Sequence, residues 1–126
     1  MTWRKSCAGI VLGLGLVPSL AIPQSMTEGR KLYAAYCTGC HGENGKGDGV
    51  AARALPVKPA DHTDGKTMGV LSDAYLRSII EKGGAGVGRS SFMPSWGGQL
   101  RPDEIGALIA YIRSLARPTQ GSGGKQ

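Results

Sequence analysis

The chain has 126 residues, a mass of 13.1 kDa and a net charge of +6, which confines it to one small domain. It carries 21 glycines and a single phenylalanine, poor material for a core built from side chains alone. No apolar run reaches the ~20 residues a bilayer span needs, no internal repeat is present, and three cysteines are too few for a disulfide framework. The positive charge would suit an acidic protein, an anionic surface or nucleic acid. The basic residues are scattered, however, and aromatics make up only 6% of the chain, which argues against a base-stacking platform and against nucleic acid as a partner.

Residues 1–21 read as a cleaved secretory signal peptide. Arg4 and Lys5 supply the positive start, Ala8 to Val17 a short apolar stretch, and Ser19 and Ala21 the small residues ahead of a cleavage point. The apolar stretch is too short for a membrane anchor. Cys7 precedes it and is incidental to the leader. Removing the leader takes away two basic residues and no acid, so the mature chain carries +4 and keeps only two cysteines. The predicted organisation is a signal peptide over 1–21, one domain over 22–117 and a flexible polar tail over 118–126.

Ser25 is expected to begin the first helix, with Glu28 at capping-box spacing. Gly29, Leu32, Tyr33 and Tyr36 share one face at i, i+3, i+4 and i+7. Glycine on a buried face costs about 1 kcal/mol against alanine, so Gly29 makes sense where another helix crosses at close range. Residues 42–71 are rich in glycine, proline and aspartate and lack a sustained period, which suggests a long loop with a function. Ser72 can cap a second helix, with Leu76, Ile79 and Ile80 facing inward and Gly83 as a left-handed stop. Pro102, Asp103 and Glu104 open a third helix. Its inner face is Ile105, Leu108, Ile109 and Ile112, widened by Tyr111 and Leu115, and Pro118 ends it. No segment alternates like a strand. The reading is all-α, three helices joined by long loops.

Cys37-Thr38-Gly39-Cys40-His41 is C-x-x-C-H, the attachment signature of c-type haem. Two thiols one helical turn apart can both form thioethers to the vinyl groups of one porphyrin, and the adjacent imidazole can reach the iron. A thioredoxin-like C-x-x-C would follow a strand and precede a helix, whereas here a helix precedes and a glycine-rich loop follows. A zinc site needs about four ligands, and the mature chain offers only Cys37, Cys40, His41 and His62. A plain disulfide would leave His41 and the thin core unexplained. Covalent haem c, with His41 as one axial ligand, accounts for all of these. For the opposite position the candidates are Met26, Met68, Met93 and His62. Met93, in Phe92-Met93-Pro94 ahead of the third helix, is the choice; Met68 is the second methionine, and His62 is read as a loop or propionate-edge residue.

With these residues in place the chain resembles the class I c-type cytochromes. His41-Gly42-Glu43-Asn44-Gly45-Lys46-Gly47-Asp48-Gly49 is similar to the opening of one broad bacterial branch. Leu55, Pro59 and Asp61 fit its proline-rich loop, and Met93-Pro94-x-Trp96, Leu100 and Ile105-x-x-Leu108-x-x-Tyr111-Ile112 its C-terminal half. The resemblance implies the cytochrome c fold around one haem, with Gly29 and Tyr33 crossing Leu108 and Tyr111. It implies that a loop proline carbonyl, Pro59 or alternatively Pro56, accepts the second N–H of His41. It implies too that Trp96 packs near a propionate or closes the methionine side. Two departures stand out: His62 replaces an aromatic or aliphatic residue, and Arg101 replaces a serine or threonine helix cap.

The function that follows is one-electron transfer by a periplasmic, monomeric His/Met cytochrome with no catalytic residues. It would dock transiently, through its haem edge, on redox partners, and it would have no stable membrane insertion after signal cleavage. The alternative is a haem-c subunit held permanently by a dehydrogenase or terminal oxidase. A third reading, an enzyme or gas sensor with a displaceable Met93, requires an open coordination site.

Overall fold

A computed structural model describes residues 24–117. The predicted leader over 1–21, the predicted tail over 118–126 and Pro118 lie outside the described residues. Five α-helices occur in chain order: α1 (Gln24–Tyr36), α2 (Thr38–His41), α3 (Gly65–Gly69), α4 (Asp73–Lys82) and α5 (Pro102–Leu115). Short 3-10 turns occupy Val50–Ala54 and Ala85–Val87, and the described residues contain no strand. The three expected helices correspond to α1, α4 and α5. The segment 42–71, expected to be loop throughout, also holds the Val50–Ala54 turn and α3. Asp64 caps α3 by accepting from the Lys66 amide at 3.0 Å.

Helices α1 and α5 pack against each other, and Gly29 sets how closely. A Cβ at Gly29 would lie 2.1 Å from the Ala107 carbonyl oxygen and 2.9 Å from Tyr111 Cβ. The crossing therefore needs a bare backbone, and Gly29 meets Ala107 rather than Leu108. Beside it the rings of Tyr33 and Tyr111 pack with centroids 5.2 Å apart. Leu32, Tyr33, Leu76, Ile80, Leu100, Ile105, Leu108, Ile109 and Ile112 make the buried core, with Met68 among them. Tyr36, expected on the buried face of α1, is instead 41% exposed. Ser25 lies within the helix, not at the flanking position a capping-box serine would hold.

Helix α4 is capped as read: the Ser72 hydroxyl accepts from the Tyr75 amide at 3.1 Å. Its C-cap Gly83 has φ 73 and ψ 173, a conformation open essentially to glycine alone and not the left-handed helical one. At the start of α5 the Glu104 carboxylate accepts from the Arg101 amide at 2.8 Å, so the backbone half of a capping box forms without a hydroxyl. The Arg101 guanidinium pairs with Asp103 and Glu104 on the surface. Arg113 ties α5 to the α3–α4 corner. It donates to the carbonyls of Met68 and Leu71 and, at 2.8 Å, to the Asp73 carboxylate.

Candidate functional site

The C-x-x-C-H residues follow α1 almost without a break. The Cys37 amide donates to Tyr33 and the His41 amide to Cys37, each at 2.9 Å, so the motif spans a helical turn. Both thiols are free and half-buried. Burial, and secondarily the neighbouring Cys40, push the Cys37 thiol up to about 12. A redox-active dithiol needs the opposite shift, toward thiolate at neutral pH. Cys37 lacks that activation.

His41 Nδ1 lies 3.0 Å from the carbonyl oxygen of Ala60. A carbonyl only accepts, so Nδ1 carries the proton and Nε2 keeps a free lone pair. Burial lowers the His41 pKa, the carbonyl partly opposing it, so the ring is neutral and fit to ligate a metal. The acceptor is thus Ala60, and the expectation of Pro59, or Pro56, is corrected by one residue from Pro59. The Pro59 carbonyl instead turns toward Gly47, whose absent Cβ would lie 2.4 Å from it. The Gly47 amide donates to the His41 carbonyl at 2.7 Å, tying the loop to the motif, and the His62 amide donates to the Gly45 carbonyl at 2.6 Å within the loop.

His62 lies in the loop, as expected, but it is buried there, and its ring stacks on His41 with centroids 4.3 Å apart and planes 18° from parallel. Its Nδ1 lies 3.0 Å from the hydroxyl of Tyr33. The sequence signal was a histidine where the resemblance called for an apolar side chain.

The three methionines among the described residues separate by position. Met68 is 1% exposed within the core. Met26 lies on α1. Met93 is half-buried in the segment that follows α4 and packs against the core. That segment is clamped to the end of α4. The Gly84 amide donates to Met93 and the Trp96 amide to Ile80, both at 2.9 Å; the Gly97 amide donates to Glu81 at 3.1 Å. The Ser95 hydroxyl donates to the Glu81 carbonyl at 2.7 Å. The segment thus satisfies carbonyls that a helix end leaves without partners, and the helix end fixes the methionine loop. Trp96 is half-buried and packs against Tyr36, ring centroids 5.0 Å apart.

Two thiols on a helical turn, a neutral imidazole with Nε2 free and a thioether on a separately anchored loop form a donor set that fits haem c. An all-helical fold carrying that set is a class I c-type cytochrome domain. Residues 24–112 match the family described as cytochrome c oxidase, cbb3-type, subunit III, and the chain belongs to it. It is 38% identical over 88 residues to the cbb3-type cytochrome c oxidase subunit FixP of Azorhizobium caulinodans, covering 70% of this chain and 26% of that protein. The chain thus spans about a quarter of the length of the FixP relatives it matches. It is 32% identical over 88 residues to a cytochrome c6 of Anabaena variabilis, covering 70% of this chain and 88% of that one. Among solved structures it is similar to the KustC0563 c-type cytochrome, at 25% identity and a TM-score of 0.58, covering 71% of this chain and 98% of that one. As a member of this family the domain binds haem c covalently and transfers electrons. No described helix is long and apolar enough to cross a membrane.

Proposed function

We propose that the protein is a periplasmic one-electron carrier whose haem c is held by Cys37 and Cys40 as thioethers and by His41 and Met93 as axial ligands. The observation that carries this is the His41 geometry: Nδ1 committed to Ala60 and Nε2 free, one residue from Cys40. When bound, the haem supplies an iron that cycles between Fe(III) and Fe(II). The chain's own residues do the rest. Cys37 and Cys40 prevent loss of the group into a dilute compartment. The Ala60 carbonyl raises the basicity of His41 and fixes its tautomer. The α4 clamp presents Met93, a ligand that favours a high potential. An iron held by both His41 and Met93 would offer no position to a substrate, so the protein is no enzyme in this reading. The net positive charge favours an acidic partner at a small, transient interface, and the carrier works as a monomer.

The similarity to cytochrome c6 supports the carrier reading. The FixP similarity supports the second reading, a haem-c subunit held in a dehydrogenase or oxidase complex. Native-state purification separates them: a free carrier elutes alone at the mass of one chain, and a subunit elutes with its enzyme. Stopped-flow mixing with purified oxidases and dehydrogenases then identifies the partner that exchanges electrons fastest. Failure to find any fast exchange would defeat the carrier reading.

A further inference from the structure

Behind His41 stands a second imidazole that attachment of a haem does not require. His62 stacks on His41 at 4.3 Å and is 8% exposed. Tyr33, 1% exposed on α1, meets the His62 ring edge-on, centroids 5.8 Å apart at 66°, and its hydroxyl is 3.0 Å from His62 Nδ1. The His62 backbone is itself tethered through Gly45.

The proton positions follow from these contacts. The buried Tyr33 hydroxyl has a proton to place, and among the described residues its acceptor is His62 Nδ1. The phenol O–H therefore donates, Nδ1 accepts, and the neutral His62 carries its proton on Nε2. In this tautomer Nε2 carries a proton and the lone pair on Nδ1 is engaged by the hydroxyl, so His62 offers no free donor to compete with His41 for iron. What His62 can offer is a flat neutral face. A single hydrogen bond from Nδ1 to Ala60 pins one atom of His41 and still allows the ring to swing about it. The stacked face of His62 removes that freedom.

We propose that Tyr33 and His62 are positioning residues that set the plane of the His41 imidazole: the Tyr33 hydroxyl fixes the His62 ring, and the His62 ring fixes His41. The proposal rests on the haem reading above. The plane of an axial imidazole governs its overlap with the iron orbitals, and so both the potential and the unpaired spin reaching each haem methyl.

The test uses the oxidised holoprotein and reads the spread of the paramagnetically shifted haem methyl proton resonances, together with the midpoint potential. Tyr33→Phe and His62→Leu are compared with Val57→Ala, a control at an exposed site. Both variants are expected to change the methyl spread beyond the control, with a shifted potential, while the methionine–iron charge-transfer band persists. If either variant keeps the control's spread, the pairing is overturned, even if its melting temperature falls. Should His62→Leu fail to load haem, Tyr33→Phe, which deletes one oxygen atom, decides alone. A wild-type protein without a low-spin haem spectrum would remove the haem reading itself, whereas a normal wild-type spectrum with unmoved methyls removes only the positioning pair.

Discussion

In the proposed reading Met68 and Met93 serve two purposes. Met68 is enclosed by core side chains and its carbonyl is held by Arg113, so its thioether fills space. Met93 is half-buried on a clamped loop. Met93→Ala is expected to abolish the methionine–iron band and lower the potential. Met68→Ala should keep the band and cost about 2–5 kcal/mol of stability, the usual range for an emptied core site. Optical spectra and denaturant unfolding of the two holoproteins check both outcomes, and reversed results would exchange the assignments. The attachment residues and Met93 could be proposed from sequence because their chemistry is carried by rare side chains in a recognisable order. The Ala60 acceptor could not, since every residue offers a carbonyl and only the path of the loop selects one. The stacking of His62 on His41 was not legible for the same reason, because it depends on where the chain turns at Gly45 and Gly47.

At the scale of elements, the α1–α5 crossing and the end of α4 are the sensitive places. Gly29→Ala would put a methyl 2.1 Å from the Ala107 oxygen, so the helices must part. A loss of about 1–3 kcal/mol or more is expected, measured by thermal unfolding of the holoprotein; an unchanged melting temperature would contradict the crossing. Gly83→Ala acts on the site instead. It imposes a side chain at φ 73 and drives a Cβ to 2.9 Å from the Met93 carbonyl. Weakening of the methionine–iron band is expected, with the His41 side intact. Helices α4 and α5 were legible because caps and 3.6-residue periodicity agree there, as at Ser72 and along Ile105 to Ile112. Helix α3 was not, since five residues are too few to display a period. Its one sign was Asp64 two residues before Lys66.

For the whole molecule, the thin core is the controlling fact. The buried apolar side chains come mainly from α1, α4 and α5, while the long segment from residue 42 to 64 contributes no hydrophobic residue to that core and is held by backbone hydrogen bonds. The haem is then the largest apolar body in the domain, and a Cys37→Ala/Cys40→Ala protein without haem is expected to lose cooperative unfolding in calorimetry. A sharp transition matching the holoprotein would show that the polypeptide suffices. Acid stability has a local origin in the same loop. Asp61 accepts from the Thr63 hydroxyl at 2.6 Å and the Thr63 amide at 2.8 Å, and these bonds hold its carboxyl below the ordinary 3.8. A depressed carboxyl pKa adds stability that is complete above the unfolded value and vanishes as pH falls through the folded one. Asp61→Asn should therefore flatten the acid limb of the melting-temperature profile below about pH 4, leaving its slope near neutrality unchanged.

The Ala60 carbonyl has a consequence for how this domain can vary. No substitution at position 60 deletes a main-chain oxygen, so the genetic code cannot remove the partner of His41 by exchanging a side chain. What can remove it is a gain or loss of residues between Gly47 and His62, which would slide a different carbonyl, or none, under the ring. In this stretch spelling is free to drift and length is not. An inserted residue there should disturb the axial ligand more than most single replacements.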